Sequence, residues 1–159
     1  MTAMLTSPTP EFIDHLMTEA LTHAKSAATA GEVPVGAVIA HNNAIIGTGR
    51  NTTEHDQSVI AHAEIHAIQT ASKHLGSWRL NDCIMCVTLE PCTMCLGAIR
   101  LARIPVIIFG AGDSAQGAVG SLYDLSLDDR LGTPPRVIRN IKAAECQALL
   151  KEFFSSLRT

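Results

Sequence analysis

No apolar run in this sequence approaches the roughly 20 residues that span a bilayer, and the N-terminus carries no charged, apolar and small-residue leader. Membrane insertion and export are therefore not expected, and a cytoplasmic location is. There is no internal repeat, no low-complexity tract and no linker long enough to divide the chain. That excludes repeat architectures and predicts a single domain over residues 1–159, with residues 1–8 as a loose, flexible tail. A surplus of basic charge is also missing: the net charge is −3. That weighs against nucleic-acid binding by simple phosphate neutralisation, which normally goes with a basic protein. The charge is uneven, however, at +4 over residues 130–159 and −7 elsewhere. The basic end either tracks an RNA backbone or forms a solvated helix face.

What is present fits a globular core, with 47% apolar and 17% charged residues. A chain of this size buries roughly 68 to 70% of its unfolded surface, so it needs no metal staple to fold. Five cysteines without a secretory signal read as reduced thiols. Thr9 and Pro10 offer an N-cap and a first helical position, and Ile13, Leu16, Met17, Ala20, Leu21, Ala24 and Ala28 recur at helical spacing up to Gly31. VGAVIA and AIIGTG flank an asparagine turn and read as a hairpin. NTTEHDQS follows as a loop. A helical stripe from Ala61 ends at Gly76, the strand CIMCVTLE precedes a helix start at Pro91, and PVIIFGA is a short buried strand. A crossover with a turn of helix at SLYDLSLDD leads to the strand PRVIRN. Cys146, Leu149, Leu150, Phe153, Phe154 and Leu157 then mark a last helix. This order predicts a three-layer α/β/α domain around a mixed five-stranded sheet.

The segment Cys83–Cys95 holds two Cys-x-x-Cys pairs. Side chains alternate along a strand, so Cys83 and Cys86 point to opposite faces and cannot grip one ion. They read as core cysteines or, in second place, as a redox pair, and Cys146 lies on an apolar helix stripe. Cys92 and Cys95 fall at a helix start, where residues three apart share a face and the helix N-terminus favours thiolate. A zinc held by two thiolates needs one further protein ligand to leave a position open for water. The best candidate is His62 in the AHAE stretch. Taken alone, His62 is a surface residue or a cap, and Glu64 a solvated helix residue.

The combination of HAE at 62–64 with PCTMC at 91–95 resembles the zinc-dependent cytidine and adenosine deaminases. Within them the sequence is similar to the bacterial tRNA-specific adenosine deaminases through EVPVGAVI, Asn51, TLEPCTMC, FGAGDSAQGAVGSLYD and ECQALLKEFF. The resemblance implies a cytidine deaminase-like fold, one catalytic Zn2+ on His62, Cys92 and Cys95, and a Glu64 that moves protons while adenosine becomes inosine. It further implies that Asn51 hydrogen-bonds a flipped base, that the backbone beside Ala63 and Leu89 meets the base edge, and that Val35 packs on its face. Asp113 would meet the flanking nucleotide. The implied substrate is the wobble position of a tRNA anticodon loop, and the implied assembly a homodimer.

Two departures stand out. Ser58, Val59, Ile60 and Ala61 replace the Asp-Pro-Thr-Ala common before the zinc histidine, and Gly112 stands where some relatives place arginine. Two rival readings remain. One is a free-base or nucleoside deaminase of the same fold, acting on guanine, cytosine or cytidine, which CLGAIRLAR at 95–103 would suit. The other is a non-catalytic RNA-binding or scaffold subunit with structural zinc, which has no use for Glu64.

Overall fold

The computed structural model describes residues 7–158; of the tail expected at residues 1–8, residues 1–6 lie outside them. Helix α1 (Pro10–Thr29) begins where Thr9 Oγ1 accepts the Phe12 N–H at 3.1 Å and Pro10 takes the first helical position. Strands β1 (Gly36–His41) and β2 (Ala44–Arg50) form the expected hairpin. Its two turn residues, Asn42 and Asn43, both have positive φ (49° and 61°), as a tight turn matched to strand twist requires. The chain continues through α2 (Thr53–Asp56), α3 (Ala63–Leu75), β3 (Cys83–Leu89), α4 (Thr93–Leu101), β4 (Val106–Ala111), a 3-10 turn at Asp129–Leu131, β5 (Arg136–Ile138) and α5 (Ala143–Ser156).

The five strands lie in the order β2-β1-β3-β4-β5. β1 runs antiparallel to β2 and β3, whereas β3, β4 and β5 are mutually parallel, so the sheet is mixed as predicted. Strand alternation divides the core in two. Ala37, Ile39, Met85, Val87, Ile107 and Phe109 face the side covered by α3 and α4. Val38, Ala40, Ile84, Val106 and Ile108 face α1 and α5. Cys83 falls in the first cluster and Cys86 in the second, which is the opposition expected of residues three apart on a strand.

Three local expectations need correction. NTTEHDQS is not all loop. The Asn51 Oδ1 accepts the Thr53 N–H at 3.1 Å, and the buried Glu32 carboxylate accepts those of Glu54 and His55 at 3.1 and 2.7 Å, so the short α2 is capped from outside. Pro91 lies outside α4, whose N-cap is Cys92. SLYDLSLDD forms turns, and the 3-10 turn starts only at Asp129, where Asp128 accepts the Arg130 N–H. The expected last helix forms as α5, with only Cys146 fully buried on it, while Phe154 and the C-cap Leu157 remain exposed.

The basic C-terminal segment is also largely committed within the chain. Arg130 pairs with Asp128, Lys142 with Asp14, and Arg136 donates to Ser7. Arg139 donates to the Val119 carbonyl and lies over the Phe109 ring. Four of the six basic side chains of this segment thus have partners within the chain.

Candidate active site

Two helix N-termini meet at the end of the sheet. His62 is the N-cap of α3 and Cys92 the N-cap of α4. Ser, Thr, Asp and Asn are the usual capping residues, and their absence costs about 0.5–2 kcal/mol per helix. His62 makes no side-chain cap bond; its ring turns towards the thiols instead. Its Nδ1 lies 3.4 Å from Cys95 Sγ and 3.8 Å from Cys92 Sγ. Among the described residues, His62, Cys92 and Cys95 form the one group of three or more metal-ligating side chains whose donor atoms all lie within 4.8 Å of one another.

This donor set fits zinc. Bonds of about 2.0 Å to nitrogen and 2.3 Å to sulfur at a tetrahedral angle separate the two donors by about 3.6 Å, and the spacing here brackets that value. Three protein ligands leave the fourth position for water. In the metal-free site, the proton that Cys95 donates to Cys92 pulls the Cys92 thiol down to about 4, and the Cys95 thiol is raised by the same bond and by burial. His62 is raised by its bond to Cys92, against the opposing effect of burial. Metal must therefore displace protons to bind.

Glu64 sits in the first turn of α3 and is only 4% exposed. Burial pushes its carboxyl from 4.5 up to about 7, with Cys92 adding to the rise and His62 opposing it. A buried carboxyl poised near neutrality beside a metal-ligating trio is placed to take and return a proton at working pH.

Above these groups opens a cavity of about 580 Å³. All five residues expected to meet the substrate line it: Val35, Asn51, Ala63, Leu89 and Asp113. Asn51 is more constrained than the sequence indicates. Its Oδ1 is already taken by the Thr53 N–H and hydroxyl at 3.1 and 2.6 Å, while its Nδ2 has only a long 3.5 Å contact with the Val33 carbonyl. Toward a ligand, Asn51 is left to act as a donor.

Three wall elements were not foreseen. Leu150 and Phe154 bring α5 to the cavity, Glu32 holds α2 at its rim, and Glu90 anchors the wall that carries Asp113. Burial raises the Glu90 carboxyl, but hydrogen bonds from Ser121, Asp113 and Val119 outweigh it and hold the group below its ordinary value. A signal for Glu90 was available, because an acid closing an apolar strand before a proline needs N–H partners.

The cap argument makes a prediction. His62→Ser should lose zinc, yet its metal-free form should melt at or above the metal-free parent, by a few degrees for about 1 kcal/mol of recovered capping. Metal analysis and melting with and without chelator check this. A large loss of metal-free stability would mean that His62 serves the fold.

A three-layer sheet protein with His-x-Glu at one helix start facing Cys-x-x-Cys at another has the architecture of a hydrolytic deaminase. A family model described as MafB19-like deaminase matches residues 13–158. The chain is 44% identical over 140 residues to the tRNA-specific adenosine deaminase of Streptococcus pyogenes serotype M1, spanning 88% of this chain and 82% of that protein. A structure solved in work on A-to-I editing by tRNA:A34 deaminases at the wobble position superposes with a TM-score of 0.80 at 37% identity, covering 85% of this chain and 98% of the other. The guanine deaminase of Bacillus subtilis gives 0.60 at 32% identity, over 78% and 90% of the two chains. The chain belongs to the deaminase family, on the branch of the tRNA-specific adenosine deaminases.

Proposed function

We propose that this protein hydrolyses adenosine to inosine at the wobble position of a tRNA anticodon loop, acting as a single deaminase unit. The observation that carries the reading is the buried Glu64 beside the His62, Cys92 and Cys95 trio at the floor of an open cavity, in a chain 44% identical to a tRNA-specific adenosine deaminase. His62, Cys92 and Cys95 would hold one zinc. When bound, that ion supplies Lewis-acid activation of water, whose pKa falls from about 15.7 towards 7.

The chain's own residues do the rest. Glu64 accepts a proton from the attacking water and passes it to the ring nitrogen, and a second transfer accompanies departure of ammonia. Water contributes its oxygen to the carbon that carried the amine, so adenosine plus water gives inosine plus ammonia. Val35 offers an apolar face to the flipped base. Asn51 donates from its Nδ2, and the first N–H of α3, at Ala63, lacks an intrahelical partner and is free for the base edge. Leu89 closes the other side, and Asp113 stands towards the flanking nucleotide.

The homodimer is supported by apolar side chains left in water beside a second groove, among them Trp78, Leu101 and Leu131. No described helix is long and apolar enough to cross a membrane, which accords with a cytoplasmic site of action.

Purified protein should form inosine in an anticodon stem-loop with far higher kcat/KM than on adenosine, cytidine or guanine. The flanking nucleotides supply affinity that a free base lacks, and added salt should weaken stem-loop binding. Equal or better turnover of free guanine would transfer the assignment to the guanine branch. The exposed Val59 and Ile60 would then be the place to look for the cause.

A further inference from the structure

Glu90 directly follows β3, two residues before Cys92, and is 2% exposed. Among the described residues no Lys or Arg pairs with it; its partners are the Ser121 hydroxyl and backbone N–H groups. Oε2 accepts from Asp113 at 2.9 Å, and Oε1 accepts from Val119 and Ser121 at 2.9 and 3.0 Å. One carboxylate thus ties both ends of the loop 113–121.

Between those ends, Asp113 Oδ1 accepts the Ala115 and Gln116 N–H groups at 3.0 and 3.2 Å, and Asp113, Ala115 and Gln116 line the cavity. Gly117 is fitted to the tie, since a Cβ there would fall 2.5 Å from both Glu90 Cδ and the Asp113 carbonyl oxygen. From outside, Arg139 holds the Val119 carbonyl. The loop is therefore clamped by an anion on its N–H groups and a cation on a carbonyl.

Resting on the substrate reading above, we infer that Glu90 is a positioning residue: it fixes the 113–121 wall so that this wall grips the substrate beyond the reacting base. Glu90 itself touches no reacting atom. Its control falls on affinity for a polymeric substrate, because the residues it places stand at the cavity wall and outside the metal-ligating trio.

Glu90→Gln isolates the effect. Glutamine keeps one acceptor oxygen and puts an NH2 where the other stood, so at least one backbone N–H faces a donor. The arrangement that loses least keeps Val119 and Ser121 and frees Asp113. Expected is a rise in KM for an anticodon stem-loop of about 10- to 100-fold, kcat within about threefold of the parent, and unchanged zinc content. Glu90→Asp retains both acceptor oxygens and should recover part of the affinity. Gly117→Ala reaches the same tie by a steric route and should reproduce the KM phenotype, which covers the case in which Glu90→Gln fails to fold.

Amide exchange supplies a readout free of substrate: the Asp113 N–H should be protected in the parent and lose protection in Glu90→Gln. Loss of zinc, or a fall in kcat at unchanged KM, would overturn the inference and assign Glu90 to the metal centre through Pro91 and Cys92. Parent-like kinetics with unchanged Asp113 exchange would overturn it as well. A parent enzyme inactive on the stem-loop would instead sink the substrate reading, while the exchange experiment still judged the tie.

Discussion

Glu64→Gln is expected to keep its zinc and to lose turnover by about 10,000-fold, the upper end of what general acid and base catalysis contributes, because one carboxylate serves more than one proton transfer. Glutamine has the same shape but cannot accept a proton, and Glu64 lies outside the trio whose donor atoms converge. Turnover of an anticodon stem-loop and zinc content per chain check the two halves.

Stability offers an independent readout. The folded carboxyl holds its proton from 4.5 up to about 7, whereas the unfolded carboxyl has released it by then. Folding of the metal-free protein therefore weakens as pH rises through that window, on the order of a few kcal/mol in all for this one group. Glutamine does not titrate. Relative to the parent, metal-free Glu64→Gln should gain stability between pH 4.5 and 7 and hold that gain above it. Near-normal turnover would remove Glu64 from the mechanism and revive the scaffold reading. An absent pH effect would contradict its burial.

Gly49→Ala is expected to damage both the fold and the site, although Gly49 faces no substrate. A Cβ at Gly49 would lie 2.1 Å from the Ala63 carbonyl oxygen and 2.8 Å from Ala67 N, both backbone atoms of α3 that cannot swing aside. Either β2 bends or the first turn of α3 lifts from the sheet. Overpacking of this kind costs about 1–3 kcal/mol or more. That corresponds to a fall in melting temperature of roughly 2–4 °C per kcal/mol for a chain of this length.

The same turn carries His62 and Glu64, and a displacement of about 1 Å in a reacting constellation is worth about 100-fold in rate. Melting and kcat/KM should fall together in Gly49→Ala, with zinc affinity reduced. Parent-like values for all three would mean that α3 has slack at this contact.

The sequence by itself determined what depends on neighbours along the chain. Thr9-Pro10 set the start of α1, Asn42-Asn43 the hairpin turn, and Gly76 the end of α3, because caps and turns are decided by a few consecutive residues. Strand alternation separated Cys83 from Cys86, and helical spacing put Cys92 and Cys95 on one turn. The need for a third ligand pointed to His62, whereas the role of Glu64 came from motif resemblance.

Only the tertiary structure decided what rests on contacts distant in sequence. Glu90 shows in the sequence only as an acid in need of N–H partners, and the fold supplies them when the chain returns through Asp113, Val119 and Ser121. Glu32 reads as a loop acid until α2 brings two orphan N–H groups to it, and without that cap the segment 53–56 looks like coil. The partners of three basic C-terminal side chains, Asp14, Asp124 and Ser7, lie on other elements and could not be read along the chain. In each case a buried or paired polar group takes its meaning from partners brought by the fold, since leaving it unpaired in the interior costs more than the chain can bear.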